Sequence, residues 1–255
     1  MSELSTGTTE DLFLGGRLCL RQPKSGHRAG HDAMLLAAAT AARTGDRVVE
    51  FGAGVGAAGL ALAKRSEAIA LTLVEIDPQL AALARDNAAA NNVAADVVVL
   101  DVTASADTLA GHGLKPDSAD IVLMNPPFND ATRHRTSPDV ARASAHVADS
   151  ETLDGWIHAS RRLLRSGGAL TLIWRADGLA EVLAALGRGF GSLAILPVHG
   201  DPAKPAIRVL VRAIKGGRAP TRILASLMLN DESGLPNKEV AKLLGGEGDL
   251  PLVIP

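Results

Sequence analysis

The amino-acid sequence predicts an α/β fold: a seven-stranded, mostly parallel sheet with helices on both faces and an antiparallel last strand. Three observations predict it. Between Arg47 and about Lys215, short apolar runs alternate with longer stretches of helical spacing, the pattern of strands joined by crossover helices. The early runs are almost wholly apolar, as expected of central strands buried on both sides. The last two runs are separated only by HGDPAKPA, which is too short for a crossover helix, so those strands pair antiparallel.

Taken in order, residues 11–44 read as a hairpin-like segment, LFLGGRLCLRQ, then a Gly-rich loop and an Ala/Leu helix starting at Asp32. Core strands are predicted at 47–51, 70–76, 96–100, 120–124, 169–174, 193–196 and 207–214. Helices are predicted at 56–65, 78–91, 154–165 and 181–186. Pro78 falls in a first turn, where its missing N–H costs nothing, and Asp77 before it reads as the N-cap. From Gly216 the tail carries the apolar run ILASLMLN and a short helix near 237–244, bounded by Gly245 and Gly246. The expected division is 1–44 as an N-terminal hairpin and helix packed on the core, 45–215 as the core and 216–255 as a C-terminal extension.

Composition narrows the function classes. The chain has 255 residues, 47% of them apolar, with 26 basic against 28 acidic side chains. General disorder is excluded, and near-neutral charge excludes a histone-like affinity for nucleic acid without excluding a local patch. No apolar run reaches the roughly 18 to 20 residues of a membrane span, and MSELSTGTTEDLF lacks the basic start and apolar core of a signal peptide, so a cytoplasmic protein is expected. The single cysteine, Cys19, forms no intramolecular disulfide, and the histidines show no metal spacing, so no metal is expected.

The loop after the first core strand reads VVEFGAGVGAAGL. Gly52, Gly54 and Gly56 permit positive φ and let backbone N–H groups approach a ligand closely. The same letters fit a dinucleotide fingerprint through Gly52, Gly54 and Ala57, so the loop leaves NAD and S-adenosylmethionine both open, and the glycines serve a tight strand-to-helix turn equally well. Glu75 ends the second strand about 20 residues on, where a carboxylate can accept from both ribose hydroxyls. Asp101 ends the third, where it can accept from an adenine amino group. Together these describe an adenosine site along the carboxyl edge of the sheet; a solvated acid or a cap remains the alternative for each carboxylate.

The fourth strand runs into Asn125-Pro126-Pro127-Phe128. Two prolines fix φ and remove N–H donors, so the Asn125 side-chain oxygen and the Pro126 carbonyl can face outward as a rigid pair of acceptors. Such a pair suits an exocyclic amino group: gripping its two protons pulls the nitrogen toward tetrahedral shape and frees a lone pair otherwise delocalised into the ring. Phe128 offers a ring on which a planar base can stack. Arg133, Arg135 and Arg142 follow within 15 or so positions, in a stretch that reads as a loop, and are candidate phosphate contacts if RNA is the substrate.

With VVEFGAGVG and VEID upstream, this motif resembles the class I S-adenosylmethionine-dependent methyltransferases that modify planar amino nitrogens, a Rossmann-like family. The opening FLGGRLCLRQPKSGHRAGHDAMLLAAA resembles that of the bacterial tRNA adenine-N6 methyltransferases, which act on an adenine beside the anticodon of a valine tRNA. RVLVRAIKGGRAP and LMLNDESG are similar to that family too, so the resemblance covers nearly the whole chain. It implies S-adenosyl-L-methionine as cofactor, held by Glu50, Gly52, Gly54, Glu75 and Asp101, and a target amine held by Asn125, Pro126 and Phe128. The segment around His31 and Asp32 lies over the cofactor in such enzymes, although Asp32 serves equally as an N-cap here. This chain departs from the pattern at Glu50-Phe51, where Asp-Leu is common, and in lacking an aromatic pair in the tail. N-methylation of a protein glutamine or an rRNA guanine would use the same motif. An NAD-dependent oxidoreductase would leave it unexplained, and the chain has no tyrosine for hydride chemistry.

Overall fold

The computed structural model describes residues 7–25, 28–127, 138–187 and 189–253, with the backbone alone for 138–150. It opens with an antiparallel hairpin of β1 (Thr8–Phe13) and β2 (Leu18–Pro23), followed by α1 (His31–Ala39). The core strands are β3 (Arg47–Phe51), β4 (Ala70–Glu75), β5 (Ala95–Val99), β6 (Ala119–Met124), β7 (Leu164–Arg175), β8 (Phe190–His199) and β9 (Arg208–Lys215). They lie in the order β8-β9-β7-β6-β3-β4-β5. All neighbours are parallel except β9, which runs antiparallel to both β7 and β8.

Three sequence expectations are corrected. Among the described residues the sheet has nine strands, because β10 (Arg222–Ile223) and β11 (Leu227–Met228) of the tail both pair with β8. They complete the backbone hydrogen bonds of what would otherwise be a free edge, and two-residue strands leave no periodicity to read. The helix expected from Asp154 begins at Pro138, as α5 (Pro138–Leu163). Its first half has good helix formers and Pro in the first turn but few large apolar residues, so the spacing that marks a helix is missing there and the segment reads as a loop. The first helix begins at His31 rather than at Asp32, so Asp32 sits in its first turn and the N-cap is Gly30, which makes no side-chain cap.

The remaining helices cover the two faces. α1, α2 (Ala57–Arg65) and α3 (Pro78–Ala90) bury one apolar cluster against the sheet, around Leu36, Leu60, Leu73 and Leu210. α4 (Ala106–Gly111), α5 and α6 (Leu179–Leu186) bury the other, around Phe51, Met124, Ile157 and Trp174. Asp77 caps α3 as its position predicts, its Oδ1 accepting from the Gln79 N–H at 2.7 Å. The hairpin is fastened to α3 by two buried amides one turn apart. Asn91 Oδ1 accepts from Cys19 N–H at 2.9 Å, and Asn87 Oδ1 accepts from Arg21 N–H at 2.8 Å. Asn87 also donates to the Val55 carbonyl at 3.0 Å, so the hairpin and the glycine loop share one anchor.

The tail is strapped across α1. α7 (Lys238–Leu244), capped by Asn237, packs against it, and Leu250 N–H donates to the Ala38 carbonyl at 3.1 Å. Arg17 donates to the Gly245 carbonyl at 2.9 Å, and Arg65 donates to the Gly248 carbonyl. Among the described residues no helix is long and apolar enough to cross a membrane.

Candidate active site

The connections from β3 lead through β4 to β5 on one side, whereas β6 and β7 build the sheet on the other. The order therefore reverses between β3 and β6, and ligands of open α/β sheets bind at the carboxyl ends of such a switch point. The glycine loop follows β3 and Asn125 follows β6, and both line one cavity of about 280 Å³ there. Its remaining walls are the loop through Ala58, the segment 28–33 at the start of α1, and Leu80 of α3.

Gly52, Gly54 and Gly56 have φ of 63°, 56° and 86°, the left-handed region that a side chain penalises. At Gly52 the indole of Trp156 lies where a β-carbon would stand, whereas at Gly54 that position faces open space. The loop is pinned by backbone bonds: Ala53 N–H donates to the Val74 carbonyl at 3.0 Å and Gly54 N–H to Glu75 Oε2 at 2.7 Å.

The three carboxylates of the sequence reading take different places. Glu50 lines the cavity but is 5% exposed, and its Oε2 accepts from Gly59 N–H at 2.7 Å. It thus ties the first turn of α2 to β3, with Gly59 so close that a β-carbon would stand 2.6 Å from that oxygen. Burial, with a smaller push from the Glu75 charge, raises this carboxyl to about 8 against the pull of the Gly59 and Ala58 N–H groups. The unfolded chain holds it near 4.5, so between those values the folded protein keeps a proton the unfolded one has lost, and raising pH across that window removes stability. Glu50→Gln should flatten this part of the profile. Its Tm relative to the parent is expected to climb from pH 5 to pH 8 in calorimetric scans; parallel profiles would count against a buried, protonated Glu50.

Glu75 is 6% exposed and accepts from both the Gly54 N–H and the Asp77 N–H, the latter at 2.9 Å. It borders the loop rather than lining the cavity. Asp101 lies two residues beyond β5, exposed and outside the cavity, with its Oδ1 accepting from the Thr103 N–H at 2.8 Å and hydroxyl at 2.7 Å.

Asn125 is half-buried and Pro126 buried. The Asn125 Oδ1 atom is shielded from solvent and accepts no hydrogen bond among the described residues. A buried carbonyl without a donor costs about 1–3 kcal/mol, a cost removed when a ligand in the cavity brings an N–H.

The N-terminal segment closes the cavity from above. The buried Gln22 accepts from Ala29 N–H at 2.8 Å and donates to Asp11 at 3.1 Å, while Arg28 pairs with the same carboxylate at 2.6 Å. His31 and Asp32 line the wall, and Asp32 is bound by Arg208 of β9 at 2.9 Å, 176 positions away. Its partner is therefore a guanidinium, not the helix N-terminus. His31, Asp32, Glu50, Gly52, Gly54 and Asn125 thus converge on one cavity, and Glu75 and Asp101 stand beside it. Phe128, Arg133 and Arg135 lie outside the described residues, as does the side chain of Arg142. Arg28, legible in the sequence only as one of the basic residues before α1, lines the cavity. Trp156 and Arg208 carry no local signal for the places they take here.

Comparison with known proteins identifies the family. Residues 28–200 match the methyltransferase small domain family. The chain is 30% identical over 179 residues to the tRNA1(Val) (adenine(37)-N6)-methyltransferase of Porphyromonas gingivalis, covering 68% of each protein. It is 28% identical over 218 residues to the same-named enzyme of Dickeya chrysanthemi, covering 80% of this chain and 81% of that one. Among solved structures, a predicted O-methyltransferase from Agrobacterium tumefaciens superposes with a TM-score of 0.71 at 34% identity, over 86% of this chain and 98% of the other. The 16S rRNA N2 G1207 methyltransferase of T. thermophilus, in complex with AdoMet and guanosine, superposes with a TM-score of 0.56 at 20% identity, over 82% and 50%, a likeness of fold.

Proposed function

The chain belongs to the methyltransferase small domain family and is an S-adenosylmethionine-dependent methyltransferase; from that premise we propose that it methylates the exocyclic N6 amino group of an adenine in tRNA. The observation that carries this reading is the buried, unpartnered Asn125 Oδ1 on the wall of the glycine-loop cavity.

The cavity suits the cofactor. Gly52 and Gly54 allow close approach of a ligand to the backbone, and Arg28 and Asp32, each held by its ion-pair partner Asp11 or Arg208, keep further donor and acceptor positions on one wall that complement the carboxylate and ammonium of an amino-acid moiety. Glu75 uses two of roughly four lone-pair positions on backbone N–H groups, leaving capacity for ribose hydroxyls. Asp101 is assigned to the adenine amino group. When bound, S-adenosylmethionine supplies a sulfonium methyl as electrophile.

The chain's own part in the reaction is positioning and electrostatics. Asn125 Oδ1 and the Pro126 carbonyl accept the two N–H bonds of the target amine and draw its lone pair out of the ring. An amide oxygen takes no proton for itself, which suits an amine that keeps its protons until transfer and suits a hydroxyl, which must lose its own, less well. Phe128 is assigned to stacking on an unstacked base, and Arg133, Arg135 and Arg142 to phosphates, on their place in the sequence directly after the motif. The names of the curated relatives support tRNA as the substrate class.

Incubation with radiolabelled S-adenosylmethionine and total RNA from a methylation-deficient strain, and separately with protein extract, tests the assignment. Label should appear in small RNA and digest to N6-methyladenosine. Label confined to protein would overturn the RNA substrate, and label at guanine N2 would overturn the adenine.

A further inference from the structure

Arg212 of β9 is half-buried and lies away from the cavity, four residues further along the strand than Arg208. Across the sheet it is in register with Thr171 of β7 and Ala194 of β8, and Ala194 is in register with Arg222 of β10. Residues in register project to the same face of a sheet. Ala194 packs into the cluster beneath α1, so Arg212 and Arg222 stand on that face with only a methyl group between them. Two strand spacings of about 4.8 Å put their Cα atoms about 10 Å apart. Arg43, four residues past the C-terminal end of α1, is near enough for its charge to act on Arg212. Burial, and then the charges of Arg222 and Arg43, pull the Arg212 guanidinium below its ordinary value.

The sheet's other arginines have acidic partners. Arg47 and Arg165 share Asp120, Arg175 holds Glu181 and Arg208 holds Asp32. The Nε–H of Arg212 is instead buried without an acceptor, and no carboxylate among the described residues pairs with Arg43, Arg212 or Arg222. The neighbouring acid, Asp46, turns its Oδ2 to the backbone N–H of Arg43 at 2.8 Å. A guanidinium half taken out of water, with its Nε–H unpaired, no counter-charge and two like charges nearby, carries a cost that a bound anion would relieve.

We propose that Arg43, Arg212 and Arg222 form an anion site for a phosphate group, at the end of α1 opposite the methyl-transfer cavity. Three forked donors from separate elements match a multiply charged, four-oxygen anion better than a single carboxylate. The phosphate comes either from an RNA backbone or from a free phosphate compound, and the site does not depend on the tRNA assignment.

The test titrates inorganic phosphate against chloride at constant ionic strength and follows Tm. The parent protein should gain Tm with the logarithm of phosphate concentration. Arg212→Met, and the exposed double variant Arg43→Gln/Arg222→Gln, should lose that gain. A second arm measures tRNA binding against salt. If the phosphate is RNA's, the slope of log K against log salt falls by about 1 for each phosphate interaction that the double variant removes; an unchanged slope with the phosphate gain intact in the parent assigns the site to free phosphate. Equal phosphate gains in parent and variants would overturn the proposal, as would no gain in the parent together with an unchanged slope.

Discussion

Asn125→Ala is expected to lower kcat by about 10²- to 10³-fold, the loss found when one preorganised hydrogen-bonding group is removed from a reacting centre. The position of its oxygen is the reason. Buried and without a donor in the described chain, it contributes nothing to the stability of the free protein and becomes useful only when an amine is presented. Its interaction strengthens as the target nitrogen becomes tetrahedral and cationic, so its loss should fall mainly on kcat rather than KM. Cofactor affinity should change little, because the glycine loop, Asp32 and Arg28 remain. The variant should melt no lower than the parent, since an unsatisfied carbonyl is removed. Retention of kcat within tenfold, or a matching loss of S-adenosylmethionine affinity, would show that Asn125 does not hold the reacting amine.

Gly52→Ala is expected to weaken S-adenosylmethionine binding by tenfold or more and to lower Tm by about 5–10 °C. Two costs combine. A β-carbon at φ 63° is disfavoured by about 1–2 kcal/mol, and it would overlap the Trp156 ring. That ring cannot simply move aside, because it meets Phe51 edge to face at 6.4 Å between centroids, beneath the sheet's buried cluster. At about 2–4 °C per kcal/mol for a chain of this size, the backbone penalty alone lowers Tm by about 2–8 °C, and the overlap with Trp156 adds to it. Adding Trp156→Ala should recover some of the strain but not the backbone penalty, so the double variant should bind the cofactor less well than the parent. Gly52→Ala melting within 1 or 2 °C of the parent, with unchanged affinity by calorimetry, would refute the close fit. Gly52 and Asn125 directly follow Phe51 and Met124, which are in register across β3 and β6, and Trp156 of α5 packs over Gly52.

Several features are legible in the sequence because they depend on neighbours a few residues apart. The strand 47–51 is legible to the residue, since Val48, Val49 and Phe51 form a short apolar-rich stretch bounded by Asp46 and Gly52. The Asp77-Pro78 start of α3 follows from capping chemistry alone. The antiparallel pairing of β8 and β9 follows from the length of the link between them. In the site, the glycines and Asn125 are legible because each residue type has a property that no other supplies in that position.

What the amino-acid order determined by itself was therefore the kind and sequence of elements and the chemistry at two turns. What only the tertiary structure decided was which distant residues meet. Arg208 binds Asp32, Trp156 covers Gly52, Asn87 joins the hairpin to the loop, and Arg212 faces Arg222 across an alanine. The physical reason is range. Periodicity, caps and turns act within about one helical turn of the backbone, whereas these contacts are set by sheet register and helix packing between segments whose separation along the chain carries no local signal.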